Sequence, residues 1–180
     1  EFLRTKVVPE LDSWRLAKYA QMAGKTAAGN IADGKAGIAA LRAAKTALKN
    51  AEAKTETCYL FISVLLKGMI EDLDTIASKK VLEGFAGTIE VPEGRFFDTV
   101  TLKTSGKGGF ESSGNALNFL VVDKRAVIQY QKHVVGKIIT PEQNQDADAW
   151  KFGYRTVGIA EGLDNKKAAI YAHKAQAPTA

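Results

Sequence analysis

Between Ala126 and Lys174 the chain gives its last third to AVIQYQKHVVGKIITPEQNQDADAWKFGYRTVGIAEGLDNKKAAIYAHK, a stretch dominated by aromatic and β-branched residues. Such residues favour a pleated, half-buried surface. The stretch reads as a long β-hairpin joined to the body by one polar loop, and it carries almost nothing an active site needs. A chain that spends this much length on extended sheet is expected to touch other copies of itself.

At 180 residues, one domain or two small lobes is the natural division, and a core can be buried without disulfides. The 46% apolar content argues against general disorder. Cys58 is the single cysteine, which excludes an intramolecular disulfide and a cysteine-only zinc site. Its setting, TETCYLFI, suits a buried, inert thiol. No apolar run reaches the roughly 20 residues of a membrane span, and no secretory signal is visible. The net charge of +5 is mild, and its 25 basic residues are dispersed among 20 acidic ones, which fits a solvated surface better than a dedicated nucleic-acid patch. The sequence opens at Glu1 without methionine, with a helical pattern and no N-cap, and so reads as part of a larger protein.

Phe2 to Ala23 has helical spacing, with a break expected near Val8 because Pro9 follows it. Gly24 to Gly37 is loose, and Gly37 to Ala53 is a second helix with an Ile38, Leu41, Ala44, Leu48, Ala51 stripe. Thr57 to Ile62 is a central strand; Ser63 caps a helix over Val64 to Leu73, and Thr75 to Glu83 forms a short helix stopped by Gly84. Strands follow at Thr88 to Val91 and Phe96 to Lys103, around Pro92-Glu93-Gly94 turn chemistry. Thr104 to Asn115 is a Gly/Ser-rich exposed loop, and Leu117 to Val122 an apolar strand. Asp123 caps a short helix through Gln131, and His133 to Thr140 is a strand. After the polar loop Pro141 to Ala149, Trp150 to Ala160 and Lys167 to Lys174 are the closing strands, turning at Gly162 to Asn165. A bulge near Thr156 would unite Trp150, Phe152 and Tyr154 with Val157 and Ile159 on one face; without it both faces are part-buried. No regular βαβ alternation is present, which argues against a doubly wound sheet.

Each chemical motif falls short of its requirements. Gly24-Lys25-Thr26 ends like a phosphate loop, but Tyr19 stands where its first glycine belongs and a helix precedes it. Gly106-Lys107-Gly108-Gly109 could present amides to phosphate, yet fits a flexible loop better. His133 and His173 lack a nucleophile motif or close ligand spacing. Glu71, Asp72 and Asp74 read as an acidic helix edge, and Asp146 and Asp148 lack the remaining ligands of a calcium loop. No catalytic, cofactor or metal residue is assigned, no cofactor is expected, and an enzyme is not the expectation.

Ordered segments carry a resemblance instead. Val8-Pro9-Glu10-Leu11-Asp12 with Trp14 to Tyr19 resembles the spine-helix region of major capsid proteins of tailed bacteriophages. Lys49 to Glu52, Cys58 to Ile62 and Met69 to Asp72 resemble their central domain. Val127 to Asn144, Asp146 to Arg155 and Ile170 to Lys174 resemble their closing segment. The resemblance implies an α+β chain of the Hong Kong-type capsid fold. Residues 1–23 and 136–174 would form a peripheral domain of spine helix and long hairpin, 37–135 an axial domain, and 24–36 a connector. It further implies a prophage-encoded major capsid subunit that assembles in the bacterial host cytoplasm into hexamers and pentamers of an icosahedral virion shell. Scaffolding and portal proteins would be partners, DNA contact weak and nonspecific, and no membrane involved. The family's N-terminal arm and extended loop are not in this sequence, so residues 1–180 are expected to fold but not to close shells alone.

Other classes stay open beside it. A nucleic-acid-binding module would use Lys and Arg on the Gly37 to Lys54 helix, and predicts salt-sensitive duplex binding by a monomer. A subunit of a cargo-holding protein shell shares the fold, and a small enzyme would need a site assembled by the fold alone.

Overall fold

The computed structural model describes residues 1–103 and 109–175. A π-turn over Leu3–Val7 leads into α1, Val8–Gln21. The irregularity expected near Val8 is a change from π to α hydrogen bonding: Val7 and Val8 keep helical dihedrals, and Pro9, without an N–H, sits in the first turn of α1. Then come β1 (Lys25–Ala28), α2 (Gly34–Asn50), β2 (Cys58–Ser63), α3 (Val64–Glu71), α4 (Ile76–Leu82), β3 (Gly87–Val91), β4 (Phe97–Leu102), β5 (Phe110–Asp123), β6 (Val127–Ile139), β7 (Lys151–Gly162) and β8 (Ile170–Lys174).

The helix ends follow from their caps. Asp33 accepts the Ala36 N–H at the start of α2, and Ser63 Oγ accepts the Leu66 N–H at the start of α3. Thr75 and Ser78 form a reciprocal capping box on α4, and Gly84, at φ +78°, takes the left-handed backbone just past its end.

The strands order as β1-β8-β5-β2-β3, with β4 on the outer half of β5. β2 and β3 run parallel, connected through α3 and α4, and β1 and β8 are also parallel. Alternation along the strands fills two cores. Cys58, Leu60, Ile62, Phe119, Val121 and Tyr171 pack under α2, α3 and α4. Leu120, Val122, Ile170 and Ala172 turn the other way, against Leu16, Tyr19 and Ala20 of α1. The α2 stripe of Ile38, Leu41, Ala44 and Leu48 is buried as its spacing requires; Ala51 is only partly covered.

Four expectations are corrected. The 24–36 segment is not loose throughout: Lys25–Ala28 is the edge strand β1, paired in parallel with Tyr171 to Lys174 of β8. Of the expected 104–115 loop, residues 104–108 lie outside the described residues, whereas Phe110 to Asn115 belong to β5, because β4 supplies a ladder that satisfies their backbone whatever their side chains. Asp123 does not start a helix. Its carboxylate accepts from Arg125 N–H at 2.9 Å, Arg125 Nη2 at 2.8 Å and Thr57 Oγ1 at 3.1 Å, which fixes a tight turn and sends Val127 to Gln131 into β6. Lastly, β7 pairs with β6 and not with the final strand; β8 joins the six-stranded sheet between β1 and β5.

Candidate assembly surface

β6 and β7 form a two-stranded ribbon in register from Val127↔Gly162 to Ile139↔Lys151. At roughly 3.3 Å per residue it is about 40 Å long. Its base is anchored to α1. Tyr19 O–H donates to Gln129 Oε1 at 2.9 Å, Ala160 is buried against α1, and Gly162 lies against Met22, where a Cβ would come within 3.1 Å of the sulfur.

The ribbon's faces are set by one extra residue. Gln131 pairs with Gly158 and His133 with Val157, so Lys132 is a bulge in β6. The bulge expected near Thr156 is therefore on the partner strand, and β7 alternates without interruption. Ile128, Tyr130, Val135, Val157 and Ile159 share one face; Val134, Ile138 and Phe152 share the other. Nearly all of it is open to solvent: Tyr130 is 60% exposed, Ile138 63%, Trp150 58% and Phe152 74%. An isolated hairpin is marginal in water, and a contiguous apolar surface of this kind marks an interaction site.

The residues weighed for chemistry are dispersed. Gly24-Lys25-Thr26 is the entry to β1, in extended backbone, with the Gly24 N–H donating to Lys167 O at 2.9 Å. Of the Gly106–Gly109 run only Gly109 is described, at φ +98°. Glu71 pairs with Lys67 and Asp74 with Lys79, which leaves an exposed helix edge, and Asp146 pairs with Lys151 at the hairpin tip. Cys58 is fully buried; burial and the nearby Asp123 carboxylate push its thiol up to about 11. His133 lies within β6, opposite Val157. His173 is buried in β8, stacked on Phe119 with ring centroids 5.0 Å apart. Asn118 Nδ2 lies 3.0 Å from its Nδ1 and also donates to Gly29 O, so the amide nitrogen is the donor and His173 Nδ1 the acceptor. Burial pushes the His173 pKa down, which suits a neutral packing residue. Among the described residues no group of three or more His, Cys, Asp or Glu could hold a metal ion, and no helix is long and apolar enough to cross a membrane.

One cluster escaped sequence reasoning. Asp98, buried in β4, accepts from Lys174 Nζ at 2.9 Å and from Asn115 N–H at 2.9 Å, while Gln21 Nε2 donates to its backbone carbonyl at 2.9 Å. It ties β4, β5, β8 and α1 together. No local pattern announces a pair 76 positions apart; the only hint is Gly114, at φ +77°, where a Cβ would come within 2.2 Å of Asp98 Oδ1. Burial raises the Asp98 pKa, but the hydrogen bonds from Lys174 and Asn115 outweigh it, and the net shift is downward. A depressed folded-state pKa stabilises above the unfolded value of 3.8, and that stability is lost as pH falls through the folded value. The urea midpoint is therefore expected to drop on acidification below pH 3.8, and to drop less in Asp98→Asn. Equal acid sensitivity in both proteins would remove Asp98 from that role.

No family model matches the chain, and no curated protein matches it. Solved structures do. A structure from Mycobacterium phage Che8 superposes with a TM-score of 0.61 at 10% identity, over 93% of this chain and 58% of that one. The capsid structure of the cyanophage P-SCSP1u gives a TM-score of 0.61 at 14% identity, over 94% of this chain and 62% of that one. The chain thus spans about six-tenths of the length of these neighbours. It has the α+β fold of phage capsid structures.

Proposed function

We propose that the chain is a structural subunit of a phage capsid shell and self-assembles through its hairpin. The observation that carries this reading is the conjunction of that fold with a ribbon about 40 Å long, most of whose large apolar side chains beyond the base are exposed among the described residues. A closed shell distributes many modest interfaces over one repeated surface, and a projecting two-faced ribbon suits that task. α1 and β6–β7 make the peripheral lobe, and the six-stranded sheet with α2, α3 and α4 the axial lobe. Relative to the division into 1–23, 24–36, 37–135 and 136–174, β1 and β8 pass to the axial lobe and residues 127–135 of β6 to the peripheral one. Hexamers and pentamers, a prophage origin, assembly in host cytoplasm, and scaffolding, portal and packaged-DNA contacts belong to the same proposal.

Electron microscopy and light scattering on the full gene product test it. Shells or rings are the expected result. A product that stays monomeric at high concentration and across salt would overturn the reading and direct attention to duplex-binding titrations.

A further inference from the structure

The far end of the hairpin and the floor beside its base are chemically complementary. The tip, Pro141 to Lys151, carries Glu142, Asp146 and Asp148 against Lys151, so three negative charges less one positive leave two negative charges. Trp150 and Phe152 stand exposed beside them. Near the base, two adjoining hollows of about 340 and 300 Å³ meet at Tyr19, Phe61 and Gln129. Tyr59 extends this aromatic floor, and Arg15, Arg95 and Lys124 line its edge. None of those three cations has a carboxylate within ion-pair reach among the described residues. Of the acids there, Glu90 is held by Lys67 at 2.6 Å, which leaves Asp12.

We infer that this groove receives the acidic, aromatic hairpin tip of a second copy of the chain. The occupant cannot be the chain's own tip: Gln129 and Val127, which line the groove, sit at the base of the ribbon, and the tip lies about ten residue pairs away along the same ladder. Trp150 or Phe152 would bury against Tyr59 and Phe61, while Glu142 and Asp148 meet Arg15 and Arg95. Tip and groove are different surfaces: exchanged reciprocally they give a two-fold dimer, and used head to tail they generate a ring when the rotation closes. This rests on the shell reading above and names the surface it uses.

Charge reversal tests it. Sedimentation velocity over a concentration series would compare the chain with Glu142→Lys/Asp148→Lys, with Arg15→Glu/Arg95→Glu, and with all four together. These positions are exposed or half-exposed, and circular dichroism checks that each variant folds. Each pair is expected to weaken association at least about tenfold, about 1.4 kcal/mol, and the combination to recover most of it. Unchanged association in both pairs, failure of the combination to recover, or a chain that never associates would overturn the inference. The same reversals in the full gene product separate the two ideas: shells that tolerate them remove the tip-in-groove contact alone, whereas absence of shells from the unaltered product removes the shell reading itself.

Discussion

Phe119→Ala is expected to cost about 3–5 kcal/mol, the usual range for truncating a buried aromatic. Phe119 is fully buried on β5, the strand on which the sheet is built, with β8 on one side and β2 on the other. It stacks on Tyr171, centroids 6.0 Å apart and planes within 4°, and on His173. Truncation would remove both stacking partners and open a cavity beneath α2 and α3, where backbone-held strands cannot close in to fill it. The depressed His173 pKa adds a second signature. Its neutral form is favoured in the folded state, so its stability contribution is complete above the ordinary value of 6.5 and declines as pH falls below it. A cavity that admits water relieves that burial, so the variant's denaturation midpoint should be flatter than the parent's over that acidic window. A loss under about 1 kcal/mol by equilibrium urea unfolding, well below the roughly 3–5 kcal/mol usual for truncating a buried aromatic, would mean that the sheet repacks freely around position 119.

Gly34→Ala is expected to destabilise by about 1–3 kcal/mol, against the sign that helix propensity alone predicts. Gly34 is the first residue of α2, and alanine within a helix ordinarily gains roughly 0.5–1 kcal/mol over glycine. Here an added Cβ would fall 2.0 Å from the Met69 carbonyl oxygen and 2.8 Å from its carbon, both backbone atoms of α3. Neither can rotate away, so the two helices must separate and the Ile38, Leu66 and Ile70 contacts beneath them loosen. Gly37→Ala is the control one turn along. Its Cβ would meet only the side-chain ends of Leu66 and Ile70, at 2.8 and 3.2 Å, which can shift. Thermal unfolding of the two variants decides the matter: a stabilised Gly34→Ala would show that α2 and α3 are not held at this distance.

Local elements were legible because their causes are local. The α2 stripe, the Ser63 cap and the Gly84 stop each depend on residues within one or two turns, and each lies where its chemistry requires. The apolar, strand-forming character of the last third was legible too, from its aromatic and β-branched residues. Strand partnership was not. Val127 to Ile139, Lys151 to Gly162 and Ile170 to Lys174 are three apolar extended runs, and nothing within them says which two form the ribbon and which enters the sheet. The Asp123 turn misled for the same reason: an aspartate before a mixed run suits a helix N-cap or a turn equally, and the choice was made by Thr57 and Arg125.

The candidate groove shows the same division. Its tip is written in eleven consecutive residues, Pro141 to Lys151, and could be read as acidic and polar at once. Its floor takes Arg15 from α1, Phe61 from β2, Arg95 from the turn after β3 and Lys124 from the turn after β5, and no window of sequence holds them together. The sequence by itself determined α1 to α4, the longer strand-forming runs and the surplus of apolar residues, because backbone propensity and side-chain period act over a few residues. Only the tertiary structure decided the β1-β8-β5-β2-β3 order, the Lys132 bulge, the Asp98–Lys174 pair and the composition of the groove. Ladder hydrogen bonds are the same for every residue, so the choice among possible partners falls to the simultaneous burial of two cores on opposite faces of one sheet.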